Sequence, residues 1–202
     1  MELKLHGGGT LVRLTGTVAQ ANTYADDKAR WINDEEVREH LGRRTETTPK
    51  DSMAWMMGMA DTLETNYHFA IIDEHGTHIG AVDLRSVNHE DGFGDIGIVI
   101  GKEHWSKKYG RRAIWAILKL AFEELKLSKV VLAVWSNNPR GMKCYESVGF
   151  SEVARLPKRR CVNPNRSKSA DKEFADEVHM EVSETTFLGL RSRTDFHQTL
   201  LT

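Results

Sequence analysis

Asp95-Ile96-Gly97-Ile98-Val99-Ile100-Gly101-Lys102-Glu103-His104-Trp105-Ser106-Lys107-Lys108-Tyr109-Gly110-Arg111-Arg112 runs from an apolar strand into a cationic helix start. The first six residues are mostly apolar, which predicts a strand buried on both faces. The second half of the stretch has the wrong sign for a helix without a ligand. A helix N-terminus already carries partial positive charge on its free N–H groups, so acidic residues are favoured there. Lys107, Lys108, Arg111 and Arg112 put cations there instead, and Gly110 lets backbone amides come close to a ligand. A phosphate-bearing ligand accounts for both features. The competing reading is a solvated basic turn, and six residues alone do not separate the two.

Beyond the turn, Ile114, Leu118, Ala121, Phe122 and Leu125 fall on one helix face, with Arg112, Lys119, Glu123 and Lys126 opposite. That is the pattern of a helix packed on a sheet. Lys129 to Trp135 contains Val130-Val131-Leu132-Ala133-Val134, a second buried strand. Strand, turn, helix and strand make one βαβ unit whose two strands are parallel.

Upstream, Thr10 to Leu14 reads as a strand after a flexible Gly7-Gly8-Gly9. Val18 to Leu41 is helical with a break near Asn33-Asp34, where Asp34 caps a second helix. Thr48-Pro49 starts a third helix carrying Met53, Trp55, Met56, Met57 and Met59, whose Met cluster reads as core filling or a plastic pocket wall. His68 to Asp73 and His78 to Leu84 form a hairpin around Glu74-His75-Gly76-Thr77. Downstream, Asn138-Pro139 starts a helix closed by Gly149, and Phe150 opens another strand. Arg155 to Glu173 reads as a long basic surface loop and Val178 to Val182 as the last strand. Glu184 to Thr202 is weakly patterned and receives no role.

The 202 residues hold 40% apolar side chains and a net charge of −1. This describes one globular domain, with no global field toward nucleic acid or a membrane surface. Any anion site must be local. Cys144 and Cys161 form no CxxC pair or disulfide framework, which fits a reducing, cytoplasmic setting. The start, Met1 to His6, lacks the apolar core of a signal peptide, and no apolar run has membrane-spanning length. The nine histidines show no metal-ligand spacing, so no metal is expected.

In this order the pieces resemble the GNAT acetyltransferase superfamily, and within it the ribosomal-protein-acetyltransferase-like (Rim-type) branch. The resemblance spans roughly Thr10 to Glu184. It rests on Asp95 to Gly110, on Ala121-Phe122-Glu123-Glu124-Leu125-Lys126-Leu127, on Asn138 to Phe150 with its Tyr145-Glu146-Ser147-Val148-Gly149-Phe150, and on Trp31-Ile32-Asn33-Asp34-Glu35-Glu36-Val37. It implies an α/β fold, a mixed and mostly antiparallel sheet flanked by helices, with the βαβ unit binding coenzyme A. The domain would run from 10 to 184, between a flexible 1–9 and a tail at 185–202.

The resemblance further implies acetyl transfer from acetyl-CoA to a primary amine by direct transfer. Trp105, Ser106, Lys107, Lys108, Tyr109, Gly110 and Arg111 would bind pyrophosphate, and Ile98, Val99 and Ile100 would present strand-edge backbone to the pantetheine and acetyl carbonyl. Tyr145 would give a proton to the leaving thiolate. Asp95 stands where this branch often carries Glu and is the candidate base through water. Asn138 caps its helix and is the candidate partner of the pantetheine. Homodimers are common in this branch; no residue here fixes an interface.

One departure matters. Ser106 and Lys108 replace two glycines of the branch's loop, and Lys108 cannot adopt positive φ cheaply. Either its side chain swings outward and adds charge, or cofactor affinity is poor. Arg111 and Arg112 favour the first, because guanidinium suits a terminal phosphate. The alternative function is a coenzyme A-binding regulatory or degenerate protein on the same fold. Near-zero net charge argues against a nucleic-acid module using these cations and Lys158-Arg159-Arg160. The acceptor's identity stays open: Asp26, Asp27, Asp34, Glu35 and Glu36 are candidates to attract an amine, or simply a solvated acidic face.

Overall fold

The computed structural model describes residues 1–162, 172–193, 196 and 200. Its centre is an eight-stranded sheet in the order β1-β2-β3-β4-β5-β6-β8-β7. The strands are β1 (Glu2–Lys4), β2 (Thr10–Leu14), β3 (Tyr67–Ile72), β4 (His78–Asn88), β5 (Phe93–Ile100), β6 (Lys129–Trp135), β7 (Ser151–Cys161) and β8 (Phe174–Ser183). Only β5 and β6 pair in parallel; every other neighbouring pair is antiparallel. The helices are α1 (Val18–Asn33), α2 (Glu35–His40), α3 (Pro49–Met57), α4 (Tyr109–Lys119), α5 (Pro139–Glu146) and α6 (Glu184–Arg191).

Local chemistry sets these boundaries. The Asp34 carboxylate accepts from the Glu36 and Val37 amides, which separates α2 from α1. Thr48 and Asp51 cap α3 reciprocally, with Pro49 in the first turn where its missing N–H costs nothing. The sheet is buried on both sides by different helices. Phe69, Ile71, Val82, Leu84 and Ile96 meet Ile114, Ile117, Leu118 and Phe122 of the α4 layer. On the other face, Leu14 and Ala70 meet Ala21, Ala25, Met56 and Met59 of the α1–α3 layer. So Met56 and Met59 fill core, while Trp55 and Met57 remain exposed.

Several expectations need correction. β5 is not buried on both faces: Ile98, Val99 and Ile100 are half-buried. Its pairing with β6 stops at Asp95↔Val131, and the strands then diverge. β6 alternates, with Val130, Leu132 and Val134 buried and Lys129 and Ala133 exposed. Arg112 is not on the solvent face of α4 but buried. The expected loop from Arg155 is strand to Cys161, hydrogen-bonded to β8 with irregular register at Leu156/Arg160. Its Pro157 and polar residues suit the exposed sheet edge it forms, where no apolar alternation is required.

The arginines there are engaged. Arg155 pairs with Glu152 and Asp176, Arg159 with Glu177, and Arg160 donates to the Glu39 carbonyl. Residues 163–171 of that expected loop, and 194, 195, 197–199, 201 and 202 of the tail, lie outside the described residues. The flexible lead-in instead supplies β1 and a turn in which Gly7, Gly8 and Gly9 all have positive φ. The weakly patterned tail supplies α6, whose Phe187 packs against Trp115 and Phe122 at ring separations of 4.7 and 5.1 Å.

Candidate active site

Where β5 leaves β6, a cleft of about 1070 Å³ opens through the sheet. The stretch of β5 beyond its pairing with β6 forms one wall, so Ile98, Val99 and Ile100 line it, with Asp95 at the last paired position. Trp105, Ser106, Lys108, Tyr109, Gly110 and Arg111 close one end, and Asn138 and Tyr145 come from α5. The cleft thus brings together all the candidate residues but Lys107, which is not among its lining residues.

The loop keeps a glycine-like backbone without the glycines. Ser106 has φ 61° and Lys108 has φ 68°, both left-handed. Lys108 is the N-cap of α4 and makes no side-chain capping bond. The first helical amide paired within the turn is that of Arg112, to the Lys108 carbonyl at 3.3 Å. The amides of Tyr109 and Gly110 thus precede the first i→i−4 donor of the helix, as an anion cradle requires. Gly110 is needed for close packing: a Cβ there would sit 3.2 Å from Cys144 Sγ. Left-handed geometry costs a non-glycine residue about 1–2 kcal/mol, and glycine gives back about 0.5–1 kcal/mol of that in chain entropy. Lys108→Gly is therefore expected to raise stability by about 0.5–1 kcal/mol. Equilibrium denaturation checks it; a loss of stability would mean that the Lys108 side chain holds the loop.

Other loop groups are committed. The Trp105 indole N–H donates to the Ile100 carbonyl at 2.8 Å, and the Arg140 guanidinium lies over its ring. The Tyr109 hydroxyl donates to Glu74 at 2.8 Å. Arg112 does not face the cleft chemistry: its Nη1 donates to the Gly7 carbonyl at 3.0 Å and its guanidinium covers the Tyr109 ring. Of the two neighbouring arginines, only Arg111 lines the cleft.

Tyr145 is 8% exposed. Burial, then Cys144 and Asp95, push its phenol pKa well above the ordinary tyrosine value. Its hydroxyl has no hydrogen-bond partner among the described residues, and its ring meets Phe150 edge-on at 5.7 Å. Burial likewise raises the Cys144 thiol to about 11, so this cysteine is no nucleophile near neutrality. Asn138 Oδ1 accepts from the Gly141 amide at 2.9 Å, which is the capping role. Asp95 is ion-paired with Arg85, so one carboxylate oxygen is already engaged.

The opposite end lies on the α1–α3 side. Asp83 and Arg85 of β4 share a face with Gly97 and Asp95 of β5, their register partners. Lys28 of α1 and Ser52 and Trp55 of α3 rise beside them. Burial lowers the Lys28 ammonium to about 7; Asp83 opposes the shift and Arg43 adds to it. The sequence signalled Trp55 only as part of the third helix, and nothing in its spacing singled out Lys28. The expected acidic attractors lie elsewhere: Asp27 pairs with Arg30 and His78, Asp34 caps α2, and Glu36 pairs with Lys102.

A depressed lysine pKa means that stability is lost as pH falls from the unfolded value near 10.4 through the folded value near 7. Lys28→Met should therefore be more stable than the parent at pH 7, with the advantage shrinking toward pH 10. Paired melting curves at the two pH values test this; a pH-independent difference would refute it.

The description "Acetyltransferase (GNAT) domain" fits residues 18–151. The chain belongs to the GNAT acetyltransferase family. Its relatives include spermidine N(1)-acetyltransferase of Vibrio cholerae, 33% identical over 88 residues, 44% of this chain and 51% of that protein. The enzyme of the same name from Escherichia coli is 28% identical over 86 residues, 43% of this chain and 46% of that protein. The chain thus spans about half the length of the curated relatives it matches. The fold match is wider. A crystal structure of the Vibrio cholerae spermidine N-acetyltransferase with CoA and spermine superposes with a TM-score of 0.71 over 88% of this chain and 98% of that one, at 19% identity. GNAT membership and the mixed sheet agree with what the sequence motifs imply. Among the described residues, no group of three or more His, Cys, Asp or Glu could hold a metal ion. No described helix is long and apolar enough to cross a membrane.

Proposed function

We propose that this protein is an acetyl-CoA-dependent N-acetyltransferase that acetylates a primary amine by direct transfer. The observation that carries the proposal is a single cleft lined by the first turn of α4 at one end and by Tyr145 in its wall. The chain fits the acetyl donor in three ways. The first turn of α4 offers N–H groups and the Arg111 charge to phosphate. The free edge of β5 offers peptide groups to an extended arm. The cleft is long enough to run from that turn to the α1–α3 side.

Acetyl-CoA supplies an activated acetyl group and a thiolate leaving group. The chain's part is orientation and proton handling. Backbone N–H on β5 polarises the acetyl carbonyl. Tyr145, kept protonated by burial, donates its proton as the thiolate departs. Asp95, through water, accepts the proton that the ammonium loses. Arg111, Trp105, Ser106, Lys108 and Gly110 hold the carrier end, with Asn138 at the helix facing it.

Membership in the Rim-type branch is part of this proposal, as is a cytoplasmic setting, which the free thiols of Cys144 and Cys161 favour. Two measurements test the proposal. Titration calorimetry should show acetyl-CoA binding, and an amine panel, including the spermidine named for the relatives, should release free thiol. Binding with no thiol release on any amine would favour a regulatory coenzyme A-binding protein. Absence of binding at millimolar ligand would end the proposal.

A further inference from the structure

The end of the cleft remote from the α4 turn is supplied with donors that the chain does not use. Lys28 places its ammonium over the Trp55 ring, and no carboxylate lies within ion-pairing distance of it among the described residues. Asp83 and Arg43 both lie close enough for their charges to act on Lys28, the carboxylate favouring its ammonium form and the guanidinium opposing it. Two cations thus face one space. Ser52, only 2% exposed, lies among the lining residues, and its hydroxyl is buried without a hydrogen-bond partner among the described residues.

The acidic side chains lining the same cleft are all engaged by the protein itself. Asp83 is bonded to His68 Nδ1 at 2.8 Å, Asp95 to Arg85, and Asp51 to Thr48 at 2.7 Å within the α3 cap. The balance is unlike that of a pocket for a polycation, which needs free carboxylates. Asp83 is bonded to His68 rather than ion-paired with Lys28, and burying an ammonium without an ion pair is unfavourable unless a further negative group arrives.

We propose that this end of the cleft receives an anionic group of the acceptor, so that the substrate is a primary amine carrying a carboxylate or phosphate rather than a polyamine. The inference rests on the acetyl-transfer reading above, because that reading makes this the acceptor side. Lys28 and Arg43 supply charge to it. The Trp55 ring holds the Lys28 ammonium in place and keeps one side of the anion's surroundings apolar. The amine then points along β4 and β5 toward the free edge and Tyr145.

The test is binding to the protein saturated with CoA, where no transfer can occur. Calorimetry would compare 4-aminobutyrate, 5-aminovalerate and O-phosphoethanolamine with the diamines putrescine and cadaverine. At least one anionic amine should bind tenfold or more tightly than either diamine, and the preferred member distinguishes carboxylate from phosphate. Lys28→Met and Arg43→Gln should each weaken that ligand about tenfold and leave the diamines unaffected. Arg43 is exposed, so its variant serves even if the Lys28 variant were misfolded. Diamines binding as tightly as the anionic amines, no binding of any anionic amine, or unchanged affinity in the Arg43 variant would overturn the inference.

Parallel thiol-release assays with acetyl-CoA separate the two claims. Anionic amines that bind while no amine of the panel releases thiol would sink the transfer reading and leave the anion site standing. Thiol release with diamines alone would do the reverse.

Discussion

Tyr145→Phe is expected to lower kcat for acetyl transfer by about 10²-fold or more, with the Kd for acetyl-CoA unchanged. The substitution removes one oxygen and little else. The phenol hydroxyl makes no hydrogen bond among the described residues, so its loss leaves no protein partner unsatisfied. The ring keeps its edge contact with Phe150 and its place in the core that includes Val148. Turnover should therefore fall without a matching fall in melting temperature.

The pH profile offers a second readout. Because burial raises the phenol pKa, the group stays protonated through the working range, and no basic limb below pH 10 should trace to Tyr145. A Phe variant with parental turnover would remove Tyr145 from the chemistry. The thiolate would then be protonated from water in the cleft.

The fold was readable where the residues faced a single environment. The βαβ unit announced itself because α4 must bury Ile114 and Leu118 against β4 and β5. The site was readable where function had altered the ordinary preference, as in the cations at the start of α4. The rest failed for identifiable reasons. Arg155 to Cys161 carries no alternation because an exposed edge strand has no buried face to declare. The half-burial of Ile98 to Ile100 depends on where β6 diverges, which is a tertiary property. Lys28, Ser52 and Asp83 come from three separate elements, so no local spacing could unite them. Lys108 shows the opposite case: the sequence expects strain at a position where glycine is the usual residue, and the backbone there is left-handed all the same. The loop geometry is thus set by its surroundings, with Trp105 tied to the Ile100 carbonyl on one side and α4 packed on the other.

Adjacent arginines at the start of α4 should respond to truncation in opposite ways, although the sequence assigns both to phosphate. Arg112→Ala is expected to cost about 2–4 kcal/mol, lowering the melting temperature by roughly 5–15 °C for a chain of this size. The Arg112 side chain is buried and ties α4 to the turn between β1 and β2 through the His6 and Gly7 carbonyls at 3.3 and 3.0 Å. Truncation removes these charge-assisted bonds and the guanidinium that covers Tyr109. The folded fraction should nonetheless bind acetyl-CoA with parental affinity, because nothing places that guanidinium at the phosphate end. Arg111→Ala should instead weaken acetyl-CoA about tenfold, the loss of one charge-assisted phosphate contact, with little change in melting. Denaturation and calorimetry on the two variants separate the roles. Weakened acetyl-CoA binding by folded Arg112→Ala would return Arg112 to the phosphate site. Parental affinity in Arg111→Ala would leave the α4 amides and Lys108 as the whole of the cradle.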